Sequence, residues 1–211
     1  MLRALVTFVP IAALLTLTPG VATALVVRNA SRGGRRAAFF TTAGNSIGVL
    51  MWGALAAAGL AAAVATSARV FTVVKVVGAA VLFVMGARSL LGRDAGSTGV
   101  EGEAPVPARA PSTDLSSARD GLITSVANPK LAVFFVALFP QFIPRHAPVL
   151  AAALAMAGLI VAFDLVWYTA LAYLVTRAKR AFVAGPWARR VERMTGAVLI
   201  GLGIRLAIER R

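Results

Sequence analysis

Asp164 and Lys130 are charged residues set deep in apolar sequence, Asp164 within Ala162-Phe163-Asp164-Leu165-Val166 and Lys130 directly after Asn128-Pro129. A charge in hydrocarbon costs roughly 3 kcal/mol by insertion scales, so such a residue pairs, faces a cavity or binds a proton. Burial favours the neutral form of a carboxylate and a neighbouring cation favours the ionised one. A carboxylate held between the two is suited to proton coupling, which makes Asp164 the candidate proton-coupling residue. The alternative is a static ion pair with Lys130 or Lys75. Lys130 itself is a candidate for holding a substrate carboxylate, whereas Lys75, near the end of its apolar stretch, reads as a lysine reaching toward the interface.

Prolines flanked by polar groups lie in the same kind of sequence: Thr18-Pro19-Gly20 and Asn128-Pro129-Lys130. A proline inside a membrane helix removes a donor and clashes with the preceding turn, leaving polar backbone where there is no water. Broken helices at corresponding places in two halves of a chain point to a transporter's substrate site near the bilayer midplane. The candidate substrate-binding set is therefore Thr18, Pro19, Gly20, Asn45, Asn128, Pro129, Lys130 and Tyr168. Asn45 belongs to a polar, small-residue face with Gly48 and Trp52, and Tyr168 lies one helical turn beyond Asp164. Gly44 and Gly48 form a GxxxG pair, more often a close helix contact than a ligand site. Two ordinary kinks are the alternative reading of the prolines.

The elements that position these residues are membrane spans. Of 211 residues, 59% are hydrophobic and 14% charged, and mean hydropathy is +0.81, a composition outside the soluble globular range. A span needs about 20 apolar residues, and six stretches qualify: roughly 4–27, 39–65, 70–91, 121–143, 149–175 and 191–208. The fold class predicted is an all-α membrane protein of six transmembrane helices, with helices 1 and 4 broken by proline. A Gly/Ser/Pro-rich stretch divides the chain into a first three-helix repeat over 1–91, a flexible linker over 92–118 and a second repeat over 119–211. An odd number of spans per half makes the repeats inverted.

The net charge of +14 is unevenly spread. Fourteen Lys and Arg fall in the loops between spans 1 and 2, 3 and 4, and 5 and 6, against Arg69 and Arg145 in the other two. That pattern places the linker in the cytoplasm and both termini outside, although Arg205, Arg210 and Arg211 run against it and leave five spans as the competing topology. It also argues against nucleic acid as partner. The N-terminal run resembles a secretory signal, but the four arginines from Arg28 to Arg36 would resist translocation, so a retained first helix is expected.

Other function classes lack their residues. There is no cysteine and His is represented by His146 alone, so no metal site, nucleophile–base pair or cofactor is expected and the chain does not read as an enzyme. No Walker-type loop is present, which excludes nucleotide hydrolysis as the energy source. A structural or signalling membrane subunit and a passive channel remain as alternatives. A packed bundle needs neither an intramembrane lysine nor an aspartate, which favours a transporter.

Taken in order, Thr18-Pro19-Gly20, Arg32-Gly33, Ala43-Gly44 with Gly48, Lys75, Gly78-Ala79, Gly86, Asn128-Pro129-Lys130, Phe139-Pro140-Gln141-Phe142 and Asp164 resemble the LysE/RhtB family of amino-acid exporters over nearly the whole chain. Val21 departs from the pattern, where the family often has a second proline. The resemblance implies a bacterial inner (plasma) membrane protein of six helices, a secondary transporter that exports amino acids or related small metabolites by proton antiport. Its expected partners are the amino-acid substrate and membrane lipid, with a homodimer compatible with the glycine faces.

Overall fold

A computed structural model describes residues 2–66, 84, 87, 113–143 and 147–178. The third predicted span apart from residues 84 and 87, the sixth predicted span, Lys75, His146 and most of the linker lie outside the described residues. Every regular element among the described residues is helical.

Helix α1 spans Leu2–Leu17 and α2 spans Val21–Thr66. Between them Thr18 closes the last turn of α1, its N–H and its hydroxyl both donating to Leu14 O, at 3.0 and 2.5 Å. Pro19 has no N–H with which to continue the ladder. The helix resumes with Ala24 N–H donating to Gly20 O at 2.9 Å.

Gly34 interrupts α2 with φ 70° and ψ −169°, a left-handed conformation that glycine adopts without the Cβ penalty. The chain folds back there. Asn29 Nδ2 donates to Thr41 Oγ1 at 2.8 Å, whereas twelve residues of continuous helix would separate the two by about 18 Å. The arms 21–33 and 35–66 are thus antiparallel, with the basic residues Arg28, Arg32, Arg35 and Arg36 at the turn.

Helix α3 spans Asp114–Val126 and starts with a capping box: Thr113 Oγ1 accepts from Ser116 N–H and Ser116 Oγ from Thr113 N–H, each at 3.1 Å. This corrects the boundary of the linker, because residues 114–118, assigned to it from composition, form the first turn of a helix and Ser117 is buried. A second break follows. Asn128 Oδ1 accepts from Lys130 N–H at 3.0 Å and Pro129 takes the first position of α4 (Pro129–Val133), where a missing N–H costs nothing. A π-helical turn at Phe134–Leu138 and a 3-10 turn at Phe139–Phe142 continue α4, and the whole piece is bent by 48° from α3. Helix α5 spans Val149–Ala178.

The second arm of α2 runs parallel to α3 in a close contact built on glycine. A Cβ at Gly44 would stand 1.8 Å from Ala118 O, and one at Gly121 would stand 2.0 Å from Thr41 O. Gly48 meets Ser125 in the same way, and Trp52 Nε1 donates to Ser125 O at 3.2 Å. The GxxxG pair is a packing surface. Helix α5 runs antiparallel to this arm, with Gly53 against Ala157 near one end and Arg35 over the Tyr173 ring, 5.6 Å from its centroid, at the other.

Phe8 of α1 packs on Phe134, Phe139 and Phe142 at centroid distances of 6.1, 5.8 and 5.3 Å, closing the end away from the arginines. At the arginine end, Arg36 forms a bidentate pair with Asp114, Nε lying 3.1 and 3.0 Å from the two carboxylate oxygens and Nη2 2.6 Å from Oδ2. That pair holds the guanidinium more firmly in its charged form. Arg28 stands 3.9 Å from Asp120 nearby.

Large apolar side chains face outward, among them Val6, Ile47, Leu55, Leu150 and Val166, while Thr16, Asn45, Asn128 and Asp164 are buried. This is the arrangement expected where the surrounding medium is lipid. Val149–Arg177 is by itself long and apolar enough to cross a membrane. The bent pairs Ala4–Leu17 with Val21–Gly59 and Asp114–Val126 with Pro129–Phe142 raise the number to three if each is one span. The fold-back at Gly34 lies within the first pair, so that pair contains two antiparallel passes.

Candidate functional site

Where α1 gives way to α2 and α3 to α4, the two breaks border a small polar cavity of about 20 Å³, lined by Thr18, Gly20, Thr23, Asn45, Asn128, Lys130, Asp164 and Tyr168 together with apolar Leu15, Ala22, Leu131 and Ile160. A water needs roughly 10–15 Å³, so the space holds little more than one. Seven of the nine residues singled out from sequence line it. Pro19 and Pro129 do not: each shapes the backbone whose neighbours reach the cavity.

Asp164 is 4% exposed and each of its oxygens accepts a hydrogen bond. Thr16 Oγ1 donates to Oδ1 at 2.7 Å and Asn45 Nδ2 donates to Oδ2 at 3.0 Å. The carboxylate on α5 thereby ties the end of α1 to the second arm of α2. Lys130 lines the same cavity.

Lys130 spans the two breaks. Its Nζ donates to Leu15 O at 2.9 Å and to Thr18 O at 3.2 Å. These belong to the last turn of α1, whose carbonyls lose their helical partners at the Pro19 break. A cation is favoured at a helix C-terminus, so Lys130 caps α1 from a position 115 residues away. The role expected for it from sequence, next to a substrate carboxylate, concerns the same cavity but not this contact.

Asn128 contributes through its cap on α4, and Tyr168 is buried on the same face of α5 as Asp164. Asn45 Oδ1, buried, has no hydrogen-bond partner among the described residues, and Thr23 faces Tyr168 across the cavity. Thr16 and Thr23 were missed in the sequence. The signal available was a hydroxyl within an apolar helix on the turns flanking Pro19, which marks a polar face but not its partner. No group of three or more His, Cys, Asp or Glu that could hold a metal is found among the described residues.

Apolar helices enclosing a buried acid, a lysine and an unpaired amide oxygen define a membrane protein with a small polar site between its helices. The LysE type translocator family matches residues 13–210, and the chain belongs to that family. It is 30% identical over 198 residues to the threonine efflux protein of Escherichia coli, covering 92% of each chain. It is 27% identical to the uncharacterized membrane protein YrhP of Bacillus subtilis, over 98% of this chain and all of the relative. A leucine efflux protein of Salmonella choleraesuis is 31% identical over 134 residues, 64% of this chain and 60% of the relative. No solved structure matches. The family makes the protein a membrane transporter and not an enzyme.

Proposed function

We propose that the protein exports amino acids from the bacterial cytoplasm across the inner membrane by proton antiport. The observation that carries this reading is the burial of Asp164 in a cavity that it shares with Lys130, between two helix breaks. An amino acid is a zwitterion, and a site holding one acid and one lysine supplies a partner for each end. Efflux of threonine and of leucine by relatives agrees with that chemistry.

The cavity is too small for an amino acid as it stands, so the described arrangement is a closed one. Opening requires movement at Thr18-Pro19-Gly20 and at Asn128, where helical hydrogen bonding is already interrupted. Six spans in two inverted repeats, the linker in the cytoplasm and both termini outside complete the proposal. Two features support it: the Arg36–Asp114 pair, which joins the turn after the first pass to the start of α3, and the equal spacing of the breaks. Pro19 precedes Gly34 by fifteen residues and Pro129 follows Asp114 by fifteen, about 22 Å of helix in each case.

The test is transport by purified protein in vesicles with an imposed pH gradient, run across a panel of labelled amino acids. Uphill movement of at least one amino acid that collapses with the gradient is the expected result. Movement that never exceeds equilibration and shows no counterflow would make the protein a channel.

A further inference from the structure

We propose that Asn45 is the positioning residue that reports the protonation state of Asp164 to the substrate, its side-chain amide turning over when the carboxylate takes up a proton. The proposal deepens the antiport reading and rests on it, since it supplies the link between proton and solute.

An ionised carboxylate only accepts hydrogen bonds. It therefore dictates which end of the Asn45 amide faces it, and Nδ2 stands 3.0 Å from Asp164 Oδ2. The other end of the same amide, Oδ1, is left without a partner among the described residues on a side chain that is 3% exposed and lines the cavity. A buried acceptor is costly to leave unsatisfied. What it lacks is a donor, and the ammonium of an amino acid is one.

Protonation reverses the polarity. A proton delivered as hydronium from the external side adds to Asp164 Oδ2, forming the O–H bond and leaving water, while Oδ1 keeps its bond from Thr16. The carboxyl O–H now donates, so Asn45 must offer Oδ1 to it, and a half turn about one side-chain torsion places Nδ2 over the cavity. A donor stands where an acceptor stood, and a substrate ammonium is repelled. The ionised site binds the amino acid and the protonated site releases it, as an antiporter requires. The other titratable groups facing Asp164 from the elements packed around it are Lys130 of α4 and Tyr168 of α5. Lys130 is held by the carbonyls of Leu15 and Thr18 on α1, and Tyr168 is buried on the same face of α5 as Asp164.

Infrared difference spectroscopy between high and low pH, on wild-type protein in lipid without substrate, tests the amide directly. An asparagine amide carbonyl band should appear together with a protonated-carboxyl band, both absent from Asp164→Asn. Isotope-labelled asparagine should shift the amide band in the wild type, and in Asn45→Gln the band should lose that label sensitivity. An amide band that is absent, or that keeps its label sensitivity in Asn45→Gln, overturns the proposal.

In vesicles, the KM of the wild type for labelled threonine should rise roughly tenfold as pH falls through the titration of Asp164, the scale of one charge-assisted hydrogen bond. Asn45→Leu should flatten that slope and Asn45→Gln should restore it, whereas a purely structural role would lower expression and leave the slope. A wild-type slope in Asn45→Leu overturns the link. If no amino acid is carried at all, the export reading fails while the infrared result still decides the amide.

Discussion

Lys130 Nζ lies 2.9 Å from Leu15 O, a contact that joins the start of α4 to the last turn of α1. It places the positive charge of the cavity on the carbonyl end of one broken helix, at the point where the second break begins. The same ammonium caps a helix in the described arrangement and, under the proposed function, is the group that meets a substrate carboxylate.

Lys130→Met should therefore affect stability and transport together. Hydrogen bonds from a charged donor contribute about 1.5–3 kcal/mol, so the midpoint of thermal unfolding in detergent should fall by several degrees. Transport of every amino acid carried by the wild type should be lost. Unchanged unfolding alongside lost transport would show that the α1 cap contributes nothing to stability.

Asp164→Asn keeps the side chain's size and can still accept from Thr16, but cannot titrate. The variant should insert and fold, lose uphill export driven by an imposed pH gradient, and hold at every pH the weakened substrate affinity of the protonated site. Vesicle assays of uphill export and of KM against pH check it. Uphill export with normal proton stoichiometry would remove Asp164 from the coupling mechanism.

Gly44→Val introduces a side chain where even a Cβ would stand 1.8 Å from Ala118 O. The oxygen is backbone and the Cβ position is fixed by the backbone of Gly44, so no rotamer change relieves the clash. The variant should fail to accumulate as folded protein in the membrane, measured by size-exclusion of a fluorescent fusion. Gly59→Ala, where nothing among the described residues lies within 4 Å of the added Cβ, is the control and should behave as wild type.

Orientation is open to single cysteines, since the chain has none. A cysteine at position 114, beside the arginine-rich turn, should react with an impermeant thiol reagent only after the cells are opened. Labelling of that position in intact cells would invert the proposed topology.

The amino-acid sequence by itself determined the medium and the places where helices stop. Apolar runs, the asymmetry of Arg and Lys, and the prolines are local properties of the chain, and each carries its consequence wherever the segment ends up in space. The same locality makes Asp164, Asn45, Lys130 and Tyr168 recognisable, because a polar group in an apolar helix has a cost before any partner is known. The start of α3 at Asp114 was legible too, through Thr113 and Ser116, but composition hid it: serine at the third helical position closes the capping box as glutamate usually does.

Tertiary structure alone decided the pairings. Thr16 meets Asp164 from 148 residues away, and Lys130 reaches α1 instead of serving only as a counter-charge. Gly34, one of the adjacent Gly33-Gly34 pair, carries the reversal of α2, and which of the two does so follows from the packing of both arms on α5. Partners of this kind depend on how helices align across the bundle. A displacement of one residue along a helix moves a side chain by 1.5 Å and turns it by about 100°, enough to exchange one hydrogen-bond partner for another with no change in the pattern of the sequence.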